Sequence, residues 1–124
     1  MTHSVCKNIF LAFSVHSSIV KVAEGDKAVL EWDTVSFKNA RSFHFYLNQQ
    51  KNLAAVTASG KVTLLTELYG DRLKVEKECN LIRLILSDVK HSDEGNFLAL
   101  AEIRFNDRPE IGEITLDVTG ILLI

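Results

Sequence analysis

The chain has 124 residues, enough for one domain with a real core. Hydrophobic residues make up 47% and charged residues 24%, a globular balance that argues against a disordered chain. Basic side chains number 14 and acidic ones 16, so the formal net charge is -2; with no Lys/Arg cluster, binding of nucleic acid or an anionic membrane by charge is not expected.

In chain order, the first apolar run is Ile9 to Val15. Its alternation through Phe10, Ala12 and Ser14 fits a β-strand, and its position after Lys7 also fits the core of a signal peptide without an A-x-A-like cleavage site. Ile19-Val20-Lys21-Val22 leads into the turn residues Glu24-Gly25-Asp26, after which Ala28, Leu30 and Trp32 alternate. Phe43, Phe45 and Leu47 alternate next. Leu53 to Thr57 and Lys61 to Leu65 flank Ala58-Ser59-Gly60. Leu73 and Val75 precede Cys79-Asn80, and Leu81 to Leu86 is a strong β run. Ser87 to Glu94 has room for one helical turn. Phe97, Ala99, Ala101 and Ile103 alternate, then Ile114, Leu116 and Val118. About nine short strands with frequent turn signals predict an all-β sandwich or barrel. The apolar end, Gly120 to Ile124, is too short to cross a bilayer. No Asn-x-Ser/Thr sequon occurs, so no N-glycan masks a face.

One segment chooses between the two architectures. Three residues after Leu81, the residues Leu84, Leu86, Val89, Asp93, Gly95, Phe97 and Ala99 are spaced as in the pattern L-x-L-x-x-V-x-x-x-D-x-G-x-Y-x-C, with Phe97 and Ala99 at its Tyr and Cys. This resembles strands E to F of an immunoglobulin domain. Arg72 stands where the V-set pattern places an Arg that pairs with the Asp of D-x-G. Glu24-Gly25 through Trp32 resembles the entry to strand B. Phe45-Tyr46-Leu47-Asn48 through Lys51-x-Leu53 resembles the stretch from C to C′. Ile114, Leu116 and Val118 resemble strand G. The resemblance covers about residues 18 to 119 and implies a two-sheet antiparallel sandwich of V-set type, with 1–124 as one domain.

The chain departs from that family at its best-known positions. Trp32 and Ala99 replace the two core cysteines, Phe45 replaces the strand C Trp, and Phe97 replaces the strand F Tyr. The usual inter-sheet disulfide cannot form, so another group must fill its volume. Trp32 is expected to reach toward the small Ala99, with Phe45 and Phe97 closing the sides. The resemblance further implies a structural Arg72–Asp93 salt bridge at one end. It also brings the start of the chain and the D–E turn toward the same end, which makes a Cys6–Cys79 disulfide possible; two free thiols are the alternative.

Nothing in the sequence signals catalysis. There is no Gly-rich phosphate loop, G-x-S-x-G, H-E-x-x-H or C-x-x-C. His3, His16, His44 and His91 are far apart, and the two cysteines are too few and wrongly spaced for zinc. His91-Ser92-Asp93 is a turn sequence, Glu76-Lys77-Glu78 reads as a solvated edge, and Asp107 with Glu110 makes a poor Ca²⁺ site. No enzymatic role, cofactor or metal is expected.

The strand faces point instead to a protein partner. With Phe97 and Ala99 inside, Leu98 and Leu100 face outward. With Phe43 and Phe45 inside, His44 and Tyr46 face outward, followed by Asn48. These five residues are expected to share the outer face of the G-F-C-C′ sheet, where polar residues are the rule. An apolar and aromatic patch there implies a binding face, through which V-set domains commonly pair, or a surface covered by a neighbouring segment. Residues 37–41, 54–61 and 106–110 are expected to form loops or edges where sequence can vary.

A V-type domain without the core cysteines and the strand C Trp resembles the membrane-distal domain of the cnidarian (hydroid) allorecognition receptors. That resemblance implies homophilic self/non-self recognition by the extracellular part of a single-pass cell-surface protein, with the same domain on an opposing cell as partner. Two other readings stay open. One is an intracellular disulfide-free immunoglobulin domain of a cytoskeletal or muscle protein; the other is a decoy that binds a different receptor.

Overall fold

The computed structural model describes residues 17–120. Cys6, the 9–15 run and the last four residues lie outside the described residues. Nine strands are described: β1 (Ser17–Ala23), β2 (Ala28–Asp33), β3 (Ser42–Leu47), β4 (Lys51–Thr57), β5 (Val62–Leu64), β6 (Leu73–Glu78), β7 (Leu81–Leu86), β8 (Gly95–Glu102) and β9 (Glu110–Thr119).

They form two sheets. The larger has the order β1-β9-β8-β3-β4-β5 and the smaller β2-β7-β6. All neighbours are antiparallel except β1, which runs parallel to β9 from Ser17↔Glu113 to Ala23↔Thr119. The extra β4 and β5 beside the β9-β8-β3 sheet are what distinguishes a V-type sandwich from the seven-stranded form. The expected all-β sandwich is therefore the observed fold.

Period-2 burial builds the core. Ala28, Leu30 and Trp32 of β2 alternate with exposed Val29, Glu31 and Asp33. Ile82, Leu84 and Leu86 of β7 join them in the smaller sheet. Phe43, Phe45, Phe97, Ala99 and Ala101 meet them from the larger one. At β4 the alternation breaks: Leu53 and Ala54 are both buried, because a bulge at Phe45/Tyr46 shifts the register there.

The turns explain where strands stop. Gly25 takes φ +90°, a left-handed conformation open to glycine at no steric cost. Its N–H donates to the Val89 carbonyl at 2.8 Å, and Val89 N–H returns a bond to Asp26 at 3.0 Å. Asn48 and Gln49 both have positive φ, 51° and 63°, the signature of a type I′ turn, closed by the Gln50 N–H donating to the Leu47 carbonyl at 3.1 Å. The helical turn expected within 87–94 is a three-residue 3-10 turn at His91–Asp93. Two more such turns, Val35–Phe37 and Gly70–Arg72, carry no sequence signal that periodicity detects.

Candidate functional site

The site rests on a clasp between the two sheets. Trp32 is 4% exposed, Phe45 and Ala99 are fully buried, and Phe97 is 1% exposed. The Trp32 and Phe45 rings lie 5.5 Å apart at 55°. The indole crosses the sandwich, and its Nε1–H donates to the Gly112 carbonyl of β9 at 3.0 Å. Gly112 is the register partner of Ala99, and the next pair, Leu100 with Glu110, skips Ile111. The indole bond therefore falls on the last β9 residue in register before that bulge. Trp32 thus meets β9 at the register partner of Ala99, through a hydrogen bond from the indole nitrogen that volume alone does not foretell.

Arg72 and Asp93 close one end. The pair is bidentate, Nη1 to Oδ2 at 2.7 Å and Nη2 to Oδ1 at 3.0 Å. Arg72 also donates to the carbonyls of Ser87 and Asp88 at 3.3 and 3.1 Å. Asp93 Oδ2 accepts the Lys90 N–H at 2.8 Å. Burial alone pushes the Asp93 carboxyl up, but the Arg72 fork and the Lys90 N–H outweigh it and hold the pKa below its ordinary value. Sequence reasoning missed Tyr69, whose buried ring lies 5.7 Å from the Arg72 guanidinium. Burial first, and the Asp93 charge second, push the Tyr69 hydroxyl up to about 12.

The outer face of the larger sheet differs from the expected open patch. Leu98 does face away from the core, since it stands apart from the core cluster while Phe97 and Ala99 belong to it. Yet it is only 6% exposed. Tyr46 pairs with it from β3 and Glu113 from β9, so residues of its own face cover it. Tyr46 and Leu100 are half-buried. The apolar feature is thus a narrow seam with Leu98 as its floor.

His44 does not extend that seam. Its Nε2 lies 2.7 Å from Glu102 Oε2 and 3.1 Å from Ser42 Oγ. Arg41 donates to Glu102 Oε1 at 3.1 Å, and Arg108 lies 3.5 Å from Oε2. Burial pushes the Glu102 carboxyl up, but hydrogen bonds from Arg41 and His44 and the Arg108 charge outweigh it and leave the pKa lowered. This polar cluster borders the seam. Its signal was present: Ser42 and Glu102 continue the outward alternation of His44 and Leu100 by one step each. Asn48 is not on the face either. It occupies the β3–β4 turn, where its Oδ1 accepts the Asn96 N–H at 3.0 Å.

Of the segments expected to be loops or edges, 54–61 is partly core, since Ala54 and Val56 are fully buried in β4, an inner strand of the larger sheet. Segment 106–110 does follow an exposed hairpin tip, with Phe105 at 84% exposure. Among the described residues no group of three or more His, Cys, Asp or Glu side chains is arranged to hold a metal ion, and no helix is long and apolar enough to cross a membrane. Cys79 sits at the β6–β7 turn with φ +53°, while Cys6, its expected partner, lies outside the described residues.

No family model and no curated protein matches the chain. Among solved structures it is similar to a chicken TCR, with a TM-score of 0.70 and 13% identity over 83% of this chain. The chain spans about half, 48%, of that receptor chain. At that identity the likeness shows the fold: an immunoglobulin-like sandwich of the V type.

Proposed function

We propose that residues 1–124 form a single V-set-type recognition domain that binds a protein partner through the outer face of the larger sheet. The observation that carries this is the Tyr46–Leu98–Leu100 seam, apolar where strand positions facing solvent are normally polar, bordered by the Arg41–His44–Glu102–Arg108 cluster. An apolar seam with a charged rim is the anatomy of a protein interface. The partner we favour is the same domain on an opposing cell, which makes the protein a homophilic cell-surface receptor of the hydroid allorecognition kind. We further assign the chain to the extracellular part of a single-pass membrane protein, with a Cys6–Cys79 disulfide that suits an oxidising compartment.

Bead aggregation tests this. Beads coated with the chain should clump, and Tyr46→Ala with Leu100→Ser should disperse them while the fold is kept. Wild-type beads that stay dispersed at every coating density would overturn the homophilic reading.

A further inference from the structure

The larger sheet ends at β5, a three-residue strand whose own residues bring no charge, proline or bulge to the edge. Its three residues, Val62, Thr63 and Leu64, carry no charge, and all are exposed, with Val62 at 37% and Leu64 at 48%. The other edge strands are guarded: β2 carries Glu31 and Asp33, β6 carries Lys74, Glu76, Lys77 and Glu78, and β1 carries Lys21. Natural sheets use such charges, prolines or bulges to block edge-to-edge pairing.

The direction of the backbone groups follows from the β4 register. Val56, Ala55 and Ala54 pair with Val62, Thr63 and Leu64. Thr57 N–H donates to the Lys61 carbonyl and Leu65 N–H to the Leu53 carbonyl, each at 2.9 Å. In an antiparallel ladder the bonded residues alternate, so Lys61, Thr63 and Leu65 turn their N–H and C=O toward β4. Val62 and Leu64 turn theirs away from the sheet.

We propose that β5 pairs antiparallel with β5 of a second copy of this chain, about a two-fold axis through Thr63. That register is self-complementary. Val62 of each copy exchanges both main-chain hydrogen bonds with Leu64 of the other, and the Val62 and Leu64 side chains meet on one face of the joined sheet. A two-fold axis normal to the sheet reverses the long axis of the second copy. The two Thr119 ends then lie at opposite ends of the pair, an orientation suited to copies offered from facing surfaces. This contact uses the edge of the sheet, and it stands or falls separately from binding through the outer face.

The test is sedimentation of the 124-residue chain up to about 1 mM. The wild type should dimerise with rising concentration. Val62→Lys/Leu64→Lys sets two introduced ammonium groups opposite each other in both pairs and should weaken the dimer more than tenfold, with an unchanged circular dichroism spectrum and melting curve. Mixing that variant with Val62→Glu/Leu64→Glu should restore a one-to-one dimer that neither forms alone. A wild-type monomer throughout, a lysine variant that dimerises as the wild type does, or a mixture that stays monomeric would overturn the proposal. Tyr46→Ala/Leu100→Ser should leave this dimer intact; if that variant alone abolishes it, the outer face carries the contact and the edge does not.

Discussion

The indole nitrogen of Trp32, on β2, donates a 3.0 Å hydrogen bond to the Gly112 carbonyl on β9, across the gap between the two sheets that a disulfide spans in antibody domains. One large ring, a ring contact with Phe45 and one polar anchor tie the two sheets there. Two substitutions separate volume from polarity. Trp32→Ala should cost about 3–5 kcal/mol in chemical denaturation, and a loss under about 1 kcal/mol would contradict the clasp. Trp32→Phe keeps an aromatic ring but loses the hydrogen bond to the Gly112 carbonyl and part of the indole volume, and should cost about 1–3 kcal/mol.

Arg72 and Asp93 give stability a pH dependence of defined sign. The folded pKa of Asp93 lies below its unfolded value, so its contribution is present above the unfolded pKa and is lost as pH falls through the folded one. Glu102 acts in the same direction. Denaturation midpoints should hold steady down to about pH 5 and then decline, the unfolded carboxylate titrating near about pH 4. Asp93→Asn should lower stability by roughly 1.5–3 kcal/mol at neutral pH and flatten the decline. A decline as steep as that of the wild type would locate the acid sensitivity elsewhere.

Leu98 and Leu100 share a face but should respond differently. Leu98 is 6% exposed, so Leu98→Ala should cost about 2–4 kcal/mol of stability. Leu100 is half-buried, and Leu100→Ser should leave the denaturation midpoint within about 1 kcal/mol of the wild type while weakening self-association. Equal effects of both on stability would show that the seam is core rather than contact surface.

These contrasts mark how far the sequence can be read. Arg72 and Asp93 are legible because they match the V-set pattern, and Phe97 and Ala99 because they follow the strand period. The role of Gly112 is not, since it depends on a bulge that periodicity cannot register. Alternation gives the face of Leu98 but not its cover, which comes from Tyr46 and Glu113 on neighbouring strands and so from register. Asn48 continues the outward alternation on paper, yet its left-handed φ of 51° takes it into a turn. The pairing of Ser42 and His44 with Glu102 required both register and alternation, across a sequence separation of about sixty residues.

The proposed Cys6–Cys79 bridge has a chemical test. Alkylation without reductant should modify neither cysteine, and reduction should lower stability by about 2–4 kcal/mol. Two alkylated thiols in the native chain would favour an intracellular module instead.

The central claim, self-recognition through the outer face of the larger sheet, is tested most directly by amide chemical shifts followed as the chain is concentrated. The account predicts progressive shifts for Ser42 to Tyr46 and Leu98 to Glu102, beside any at the β5 edge. Shifts confined to the β2-β7-β6 sheet, or none at any concentration, would contradict it.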